Sequence, residues 1–349
     1  MTGKIKPYIN NKIDFYKSVN RKYLKNIIIF LLYLYLSLST SFHVFKDFNI
    51  ETSVDPKSYM QMAHGNYNVN PTHRYRFIIP QTVSFLRPYL GNVYNPNSVK
   101  DTTKAKEIND RFLFFIVNSI ISASTAYLTS KYITNLGIGY LGGLIGGVFF
   151  LLSRVVIIST GTPLIDSLQY LCLILYSTFI LNNQFNKLSF LFPLMVLSKE
   201  TLIPLIFAPL IKKESRKKSI FISIIFSLLI LIITRSILYN SDYESNLNLY
   251  QNLLNHGLGF LARYKERWFT FKGIYRALYS YGFIWFLSLL GYLSNRSKRD
   301  INMPRSIVIL LPYALFLSLL SSDTGRILYI AFPVIIPFSI LFIVKQRIL

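Results

Sequence analysis

The chain reads as an all-α, polytopic transmembrane helical bundle, a single domain over residues 1–349 with nine to ten membrane segments. Three observations predict this. Hydrophobic residues make up 52% of the chain and charged residues only 15%, against roughly 25% charged in soluble domains; mean hydropathy is +0.39. Apolar runs of about 17–25 residues, the length that crosses a bilayer as a helix, recur from end to end. The basic residues gather between those runs, as the positive-inside rule expects. No domain boundary, internal repeat or low-complexity linker interrupts the pattern.

The net charge is +23. Because the cations form no groove-reading motif, they point to anionic lipid and membrane orientation rather than nucleic acid. The single cysteine, Cys172, lies in an apolar run. It excludes an intrachain disulfide framework and a cysteine-based zinc site.

The first span covers about 27–45. The stretch before it is basic from Lys4 to Lys25, but Ser39-Thr40-Ser41-Phe42-His43 is a poor cleavage site. It therefore reads as a retained helix, not a signal peptide. A long polar segment, 46–110, follows. Within it Phe77 to Leu90 is apolar but short and interrupted by Pro80 and Pro88, which predicts a helix lying in the membrane interface. Further spans are expected at about 112–131, 138–158, 164–181, 218–238, 277–293, 305–321 and 326–344. The glycines between Gly137 and Gly147 suit close helix packing. The 239–276 loop interleaves His256, Arg263, Lys265, Arg267 and Trp268 with leucines and reads as an interfacial amphipathic helix.

The region 187–211 decides the topology. As two short segments, 188–198 and 201–211, meeting at Lys199-Glu200, it enters and returns. Lys4–Lys25, Lys131, Lys187, Lys212–Lys218, Arg296–Arg305 and Lys345–Arg347 then all fall on one side, the cytoplasmic one. The 46–110 loop, the 159–165 turn, Lys199-Glu200, the 239–276 loop and 321–326 emerge on the other.

That second side collects the residues with chemistry. Asp55-Pro56 ahead of Gly65 predicts a helix over 56–64 with Asp55 as its N-cap. The same carboxylate, held ionised at a helix N-terminus, suits an acceptor-binding base. His73, Arg74 and Arg76 follow; they suit either lipid headgroups or a phosphate clamp. Scattered histidines without carboxylates at ligand spacing give no metal and no cofactor. Asp166 falls in the first turn of its span, where dipole complementation accounts for it and where it also has the option of facing substrate. Lys199 and Glu200 sit inside apolar sequence, where a charge costs roughly 2.5–3.5 kcal/mol. They form either an ion pair or a contact to a lipid-linked phosphate. Arg326 stands at a helix N-terminus, where the macrodipole disfavours a cation; Asp323 or a ligand phosphate should compensate it.

Four pieces together resemble the C-type glycosyltransferase (GT-C) superfamily, the polytopic enzymes that use polyprenyl-phosphate sugars. They are one span followed by a long loop carrying Asp55-Pro56-x-x-Tyr59; the Tyr75-Arg76…Pro80 run; Ser198-Lys199-Glu200-Thr201 between short apolar segments; and Asp323-x-x-Arg326…Pro333 before the last span. The resemblance implies transfer of a sugar from a polyprenyl-phosphate donor to an acceptor, whether glycan, lipid or protein, outside the cytoplasm. It implies Asp55 as acceptor-activating base, with Arg76, Lys199 and Arg326 on the donor phosphate; Tyr59, His73, Arg74, Asp166, Glu200 and Asp323 complete the candidate substrate-binding set read from the residues. Many such enzymes carry two adjacent acids in the first loop; here Val54 precedes Asp55 and the nearest acid is Glu51. The expected location is the inner (plasma) membrane of a bacterium, with both termini cytoplasmic. Two other activities share the outer face: a polysaccharide polymerase or ligase, and a transporter or flippase of lipid-linked glycans. The last requires a polar path through the bilayer, whereas polar residues pile up on one side of this chain.

Overall fold

A computed structural model of the protein describes residues 5–50, 53–90, 102–211, 217–238, 269–298, 300–320 and 323–346. Among them every regular element is a helix. Most of the 239–276 loop, with His256, Arg263, Lys265, Arg267 and Trp268, lies outside the described residues.

Helix α1 (Ile5–Asp47) is far longer than the predicted span. Three short helices follow: α2 (Val54–Ala63), α3 (Pro71–Arg74) and α4 (Ile78–Leu90). Helix α5 (Thr102–Ile133) runs back along α1. The run predicted as one span at 138–158 is broken at Ser153 into α6 (Tyr140–Leu152) and α7 (Arg154–Gly161), bent by 58°. Helices α8 (Asp166–Leu181) and α9 (Phe185–Ser198) form a hairpin, and a 3-10 segment, Glu200–Ile211, leads away from it. The predicted break at Lys199 is therefore present. Pro204 and Pro209 in that segment remove two backbone donors, which disfavours a regular α-helix there. Helix α10 (Lys217–Ile237) packs on α9. The remainder is α11 (Phe271–Tyr279), α12 (Ile284–Lys298), α13 (Arg305–Val308), α14 (Leu310–Leu320), α15 (Thr324–Leu328) and α16 (Phe332–Lys345).

Four helices are long and apolar enough to cross a membrane, and six if each of two bent pairs counts as one. Four shorter apolar segments complete the bundle. The outer surface fits a hydrocarbon solvent. Helix α1 exposes Ile27, Ile28, Leu31, Leu32 and Tyr35, and α10 exposes Phe221, Ile222, Ile225, Phe226 and Leu229. Contiguous exposed apolar surface on this scale is foreign to a soluble monomer. The chain is an integral membrane protein.

Close packing is built with small residues. A Cβ on Gly147 would stand 2.8 Å from the Ala126 carbonyl and would strike the Tyr33 ring; one on Gly143 would stand 2.5 Å from the Ser130 carbonyl. Helices α1, α5 and α6 therefore meet nearly backbone to backbone, as small-residue faces allow. Gly161 does the same for α7 against Ser41 and Val44 of α1.

The helices carry two ends of different character. At one, Lys131 Nζ donates to Asn26 Oδ1 at 3.0 Å, Lys25 lies over the Tyr140 ring, and Lys345 pairs with Asp300. About 30 Å away along α1 and α5, Arg111 donates to the Phe45 carbonyl and Asp110 accepts from His64 at 2.7 Å and Arg87 at 2.8 Å. Asp110 thus ties α2 and α4 to the start of α5. His64 takes part in that tie.

Candidate functional site

The α8–α9 hairpin places the first residue of α8 beside the residue that follows α9. Lys199 Nζ accordingly donates to Asp166 Oδ1 at 2.5 Å. The turn before α8 is held by Asn118 of α5, whose Nδ2 donates to the carbonyls of Leu164 at 2.9 Å and Thr162 at 3.2 Å. Ser167 Oγ donates back to Asn118 Oδ1. On the other side Tyr313 donates to the Thr201 carbonyl at 2.5 Å and fixes the break after Lys199.

Arg326 joins this pair to the first loop. Its NH1 donates to Asp166 Oδ2 at 3.0 Å, its NH2 to Asp55 Oδ2 at 3.0 Å and its Nε to Asp323 Oδ2 at 2.5 Å. The Asp323 side chain also accepts from the Arg326 backbone N–H and caps α15. The cation at that helix start is thus compensated by three carboxylates. His73 Nε2 donates to Asp55 Oδ1 at 3.2 Å. Beside it the Tyr59 and His73 rings pack at 5.4 Å, and Arg76 donates to Tyr59 OH at 3.2 Å and to Glu200 Oε2 at 2.9 Å.

Nine of the ten residues singled out in the sequence therefore meet at one end of the bundle: Asp55, Tyr59, His73, Arg76, Asp166, Lys199, Glu200, Asp323 and Arg326. Arg74 does not join them. It is fully buried and donates to the carbonyls of Val69 at 3.1 Å and Leu238 at 3.3 Å. It ties the first loop to the end of α10 and does not line the cleft described below.

The expected capping role of Asp55 is corrected. Helix α2 starts two residues earlier, at Val54, Ser53 is its N-cap residue, and no side chain caps it. Asp55 stands in the first turn with Pro56 behind it. Proline is tolerated there because the first-turn N–H groups have no intrahelical acceptor. Freed from capping, both carboxylate oxygens turn to His73 and Arg326. The His73 hydrogen bond, and after it the Arg326 charge, hold the Asp55 carboxyl well below the usual carboxylate range despite its burial. Burial pushes the Tyr59 phenol up to about 12, so it stays a neutral hydrogen-bonding group.

A cleft of about 470 Å³ opens beside this network. Asp55, Asp323 and Arg326 line it; Lys199 and Asp166 lie behind Arg326 and do not. Two cations that sequence reading passed over also line it: Arg154, at the start of α7, and Arg276, on α11. The available signal was Arg154 itself, a charge inside an apolar run. Its position coincides with the break at Ser153, where Tyr329 donates to Ser153 Oγ at 2.7 Å. Arg276 was hidden at the end of a long polar loop. Among the described residues no group of three or more His, Cys, Asp or Glu side chains is placed to hold a metal ion.

The arrangement offers a carboxylate fixed in its ionised form, an arginine fixed by three acids, and further guanidiniums around one open cleft. It is suited to orienting a hydroxyl or amine and to meeting negative charge that develops nearby. Comparisons with protein families, curated proteins and solved structures return no match. What the chain itself establishes is a polytopic, all-helical integral membrane protein with one charged network at one end of the bundle.

Proposed function

We propose that this chain is a membrane glycosyltransferase that moves a sugar from a polyprenyl-phosphate donor to an acceptor on the non-cytoplasmic side. The observation that carries the reading is the convergence on one cleft of Asp55 from the first loop and Arg326 from the last, with Asp166 and Lys199 behind them. Four segments far apart in sequence bring charge to one place in an otherwise apolar chain, at a cost of roughly 2.5–3.5 kcal/mol per charge at membrane depth. The lysine-rich end opposite would be cytoplasmic by the positive-inside rule. The cleft would then face outward, in the inner membrane of a bacterium.

The chemistry divides as follows. The acceptor oxygen attacks the anomeric carbon, the bond from that carbon to the phosphate oxygen breaks, and polyprenyl phosphate leaves. Asp55 accepts a hydrogen bond from the acceptor hydroxyl and aligns it. Its lowered pKa makes it a weak base. A weak base suffices where the attacking hydroxyl turns acidic as the new bond forms; the proton then passes to solvent. Arg326 faces the cleft where phosphate charge appears, and its three carboxylates fix it there before substrate arrives. Lys199 and Arg76 act by holding Asp166 and Glu200 in place.

The test is sugar transfer by the purified protein in lipid nanodiscs, with a polyprenyl-phosphate-linked labelled sugar as donor. Transfer should fall by a factor of about 10²–10⁴ in Asp55→Asn, the range for loss of a positioned acid–base group. Wild-type turnover in that variant would remove the base role and favour the polymerase or ligase reading. Movement of the lipid-linked sugar across the bilayer without transfer would favour the flippase.

A further inference from the structure

The cleft lining holds three cations, Arg154, Arg276 and Arg326, and two carboxylates, Asp55 and Asp323. Both carboxylates are engaged by Arg326. Arg154 and Arg276 are exposed, and among the described residues neither has an acid within ion-pair distance. Among the described residues these two guanidiniums of the cleft lining therefore carry no carboxylate partner.

Helix α11 carries one of the two arginines and supplies a contact to the other. Helix α11 is capped by Thr270, whose Oγ1 accepts from the Gly273 N–H at 3.1 Å. Its far end is pinned by Trp285, which donates to the Ala277 carbonyl at 3.1 Å. Tyr279, one turn after Arg276, lies under the Arg154 guanidinium at 4.0 Å from ring centre to Cζ. This cation–π contact orients Arg154 without neutralising it. Arg154 is also the first residue of α7, where the helix dipole adds to its charge rather than opposing it. Arg326 solves the same problem with carboxylates; among the described residues Arg154 has none.

The surroundings indicate what such a ligand is attached to. Phe271, Ile274, Tyr275 and Leu278 form an exposed stripe on α11 at the spacing of one helix face. In an integral membrane protein such a stripe lies against lipid. Arg276, on the same helix, reaches the cleft. Phe48, Val155, Ile158 and Leu164 give the cleft apolar walls beside the guanidiniums.

The geometry points to Arg154 and Arg276 as the binding site that captures a lipid-borne phosphate, while Arg326, held by its three carboxylates, meets the charge that develops as the sugar bond breaks. This deepens the transfer reading by assigning capture of the donor phosphate to two residues outside the ion-paired network, and it rests on that reading only for the identity of the lipid. Two guanidiniums present the forked donors that phosphate oxygens accept.

The experiment is binding of farnesyl phosphate, measured by calorimetry on the full chain in phosphatidylcholine nanodiscs, with farnesol as the uncharged comparison. Arg154→Gln and Arg276→Gln should each weaken farnesyl phosphate about tenfold or more, and the double variant should bind it no better than farnesol. Arg305→Gln, an exposed arginine at the opposite end, should bind as wild type. Wild-type affinity in the double variant overturns the assignment, as does equal binding of farnesol and farnesyl phosphate by the unaltered protein. Because both side chains are exposed, folding is checked by an unchanged melting temperature, and Arg276→Glu supplies a second variant that should abolish binding. Repeating the titration in phosphatidylglycerol nanodiscs separates two sources of the phosphate. Weaker apparent affinity there, absent in the double variant, shows that bilayer headgroups compete for the site; equal affinity shows selection of the isoprenoid phosphate. Binding is read without sugar transfer, so intact binding with no turnover refutes only the transferase, whereas turnover with an unaltered donor KM in the double variant refutes only this site.

Discussion

Asp166→Asn is the perturbation whose size follows most directly from the geometry. The Asp166 carboxylate is 1% exposed and Lys199 is 7% exposed. Asp166 is the one acid bonded to Lys199 among the described residues, whereas Arg326 has Asp55 and Asp323 as well. Neutralising Asp166 therefore strands a buried ammonium but leaves the guanidinium paired. Breaking a buried pair from one side costs about 3–5 kcal/mol, which at tenfold per 1.4 kcal/mol is a shift of about a hundredfold to several thousandfold in the unfolding equilibrium. Lys199→Met leaves Asp166 with Arg326 at 3.0 Å and should cost less, about 1.5–3 kcal/mol for one charged hydrogen bond. The double variant Asp166→Asn/Lys199→Met removes both charges and should recover most of the loss, because a buried pair replaced as a unit is often near neutral. The assay is unfolding in mixed detergent micelles by titration with dodecyl sulfate, followed by circular dichroism. Strictly additive losses, or an Asp166→Asn protein within about 0.5 kcal/mol of wild type, the scatter expected of a substitution that breaks nothing, would refute the coupling.

Three further outcomes follow from the same structure. Gly147→Leu should destabilise the fold by about 1–3 kcal/mol, the usual cost of overpacking, because its Cβ meets the Ala126 carbonyl and the Tyr33 ring; melting by intrinsic fluorescence checks it. Arg74→Met should lower stability while leaving farnesyl phosphate affinity unchanged, since Arg74 fastens Val69 and Leu238 and does not reach the cleft. The Asp55 pairing has a definite pH sign. A carboxyl whose folded pKa lies below its unfolded value near 4 contributes stability that is present above that value and is lost only as pH falls through the folded pKa. The melting-temperature gap between wild type and Asp55→Asn should therefore persist from pH 7 down to pH 5; a gap that closes in that interval contradicts the assignment.

The sequence was most legible where charge interrupts apolar runs. Lys199-Glu200 announced its break, because two adjacent charges at membrane depth need partners, and both found them across helices in Asp166 and Arg76. Asp323 and Arg326 were legible for the same reason: a cation at a helix start needs an anion. Asp55 was given the wrong local role. Asp-Pro before a glycine-ended helix is the pattern of a cap, yet the helix begins at Val54, and long-range partners 18 and 271 residues away decide where the carboxylate points. Arg74 was grouped with Arg76 because nothing local distinguishes the two, yet it is buried on backbone carbonyls. Their different fates depend on α10 and Glu200, which sequence spacing does not bring near. Arg154 was absorbed into a span that is broken at Ser153, just before it. Helix lengths were the least legible feature, since α1 and α5 extend well beyond their apolar cores into polar sequence.

The central claim is that one charged network and its cleft lie at the non-cytoplasmic end of the bundle, opposite the lysine-rich end. The most direct measurement is labelling of single cysteines in intact cells with a membrane-impermeant maleimide, in a Cys172→Ala background. Lys57, beside Asp55 on α2, and Arg296, near the far end of α12, are both exposed. Lys57→Cys should label in intact cells and Arg296→Cys only after permeabilisation. Labelling in the reverse order would invert the protein in the membrane and contradict the account.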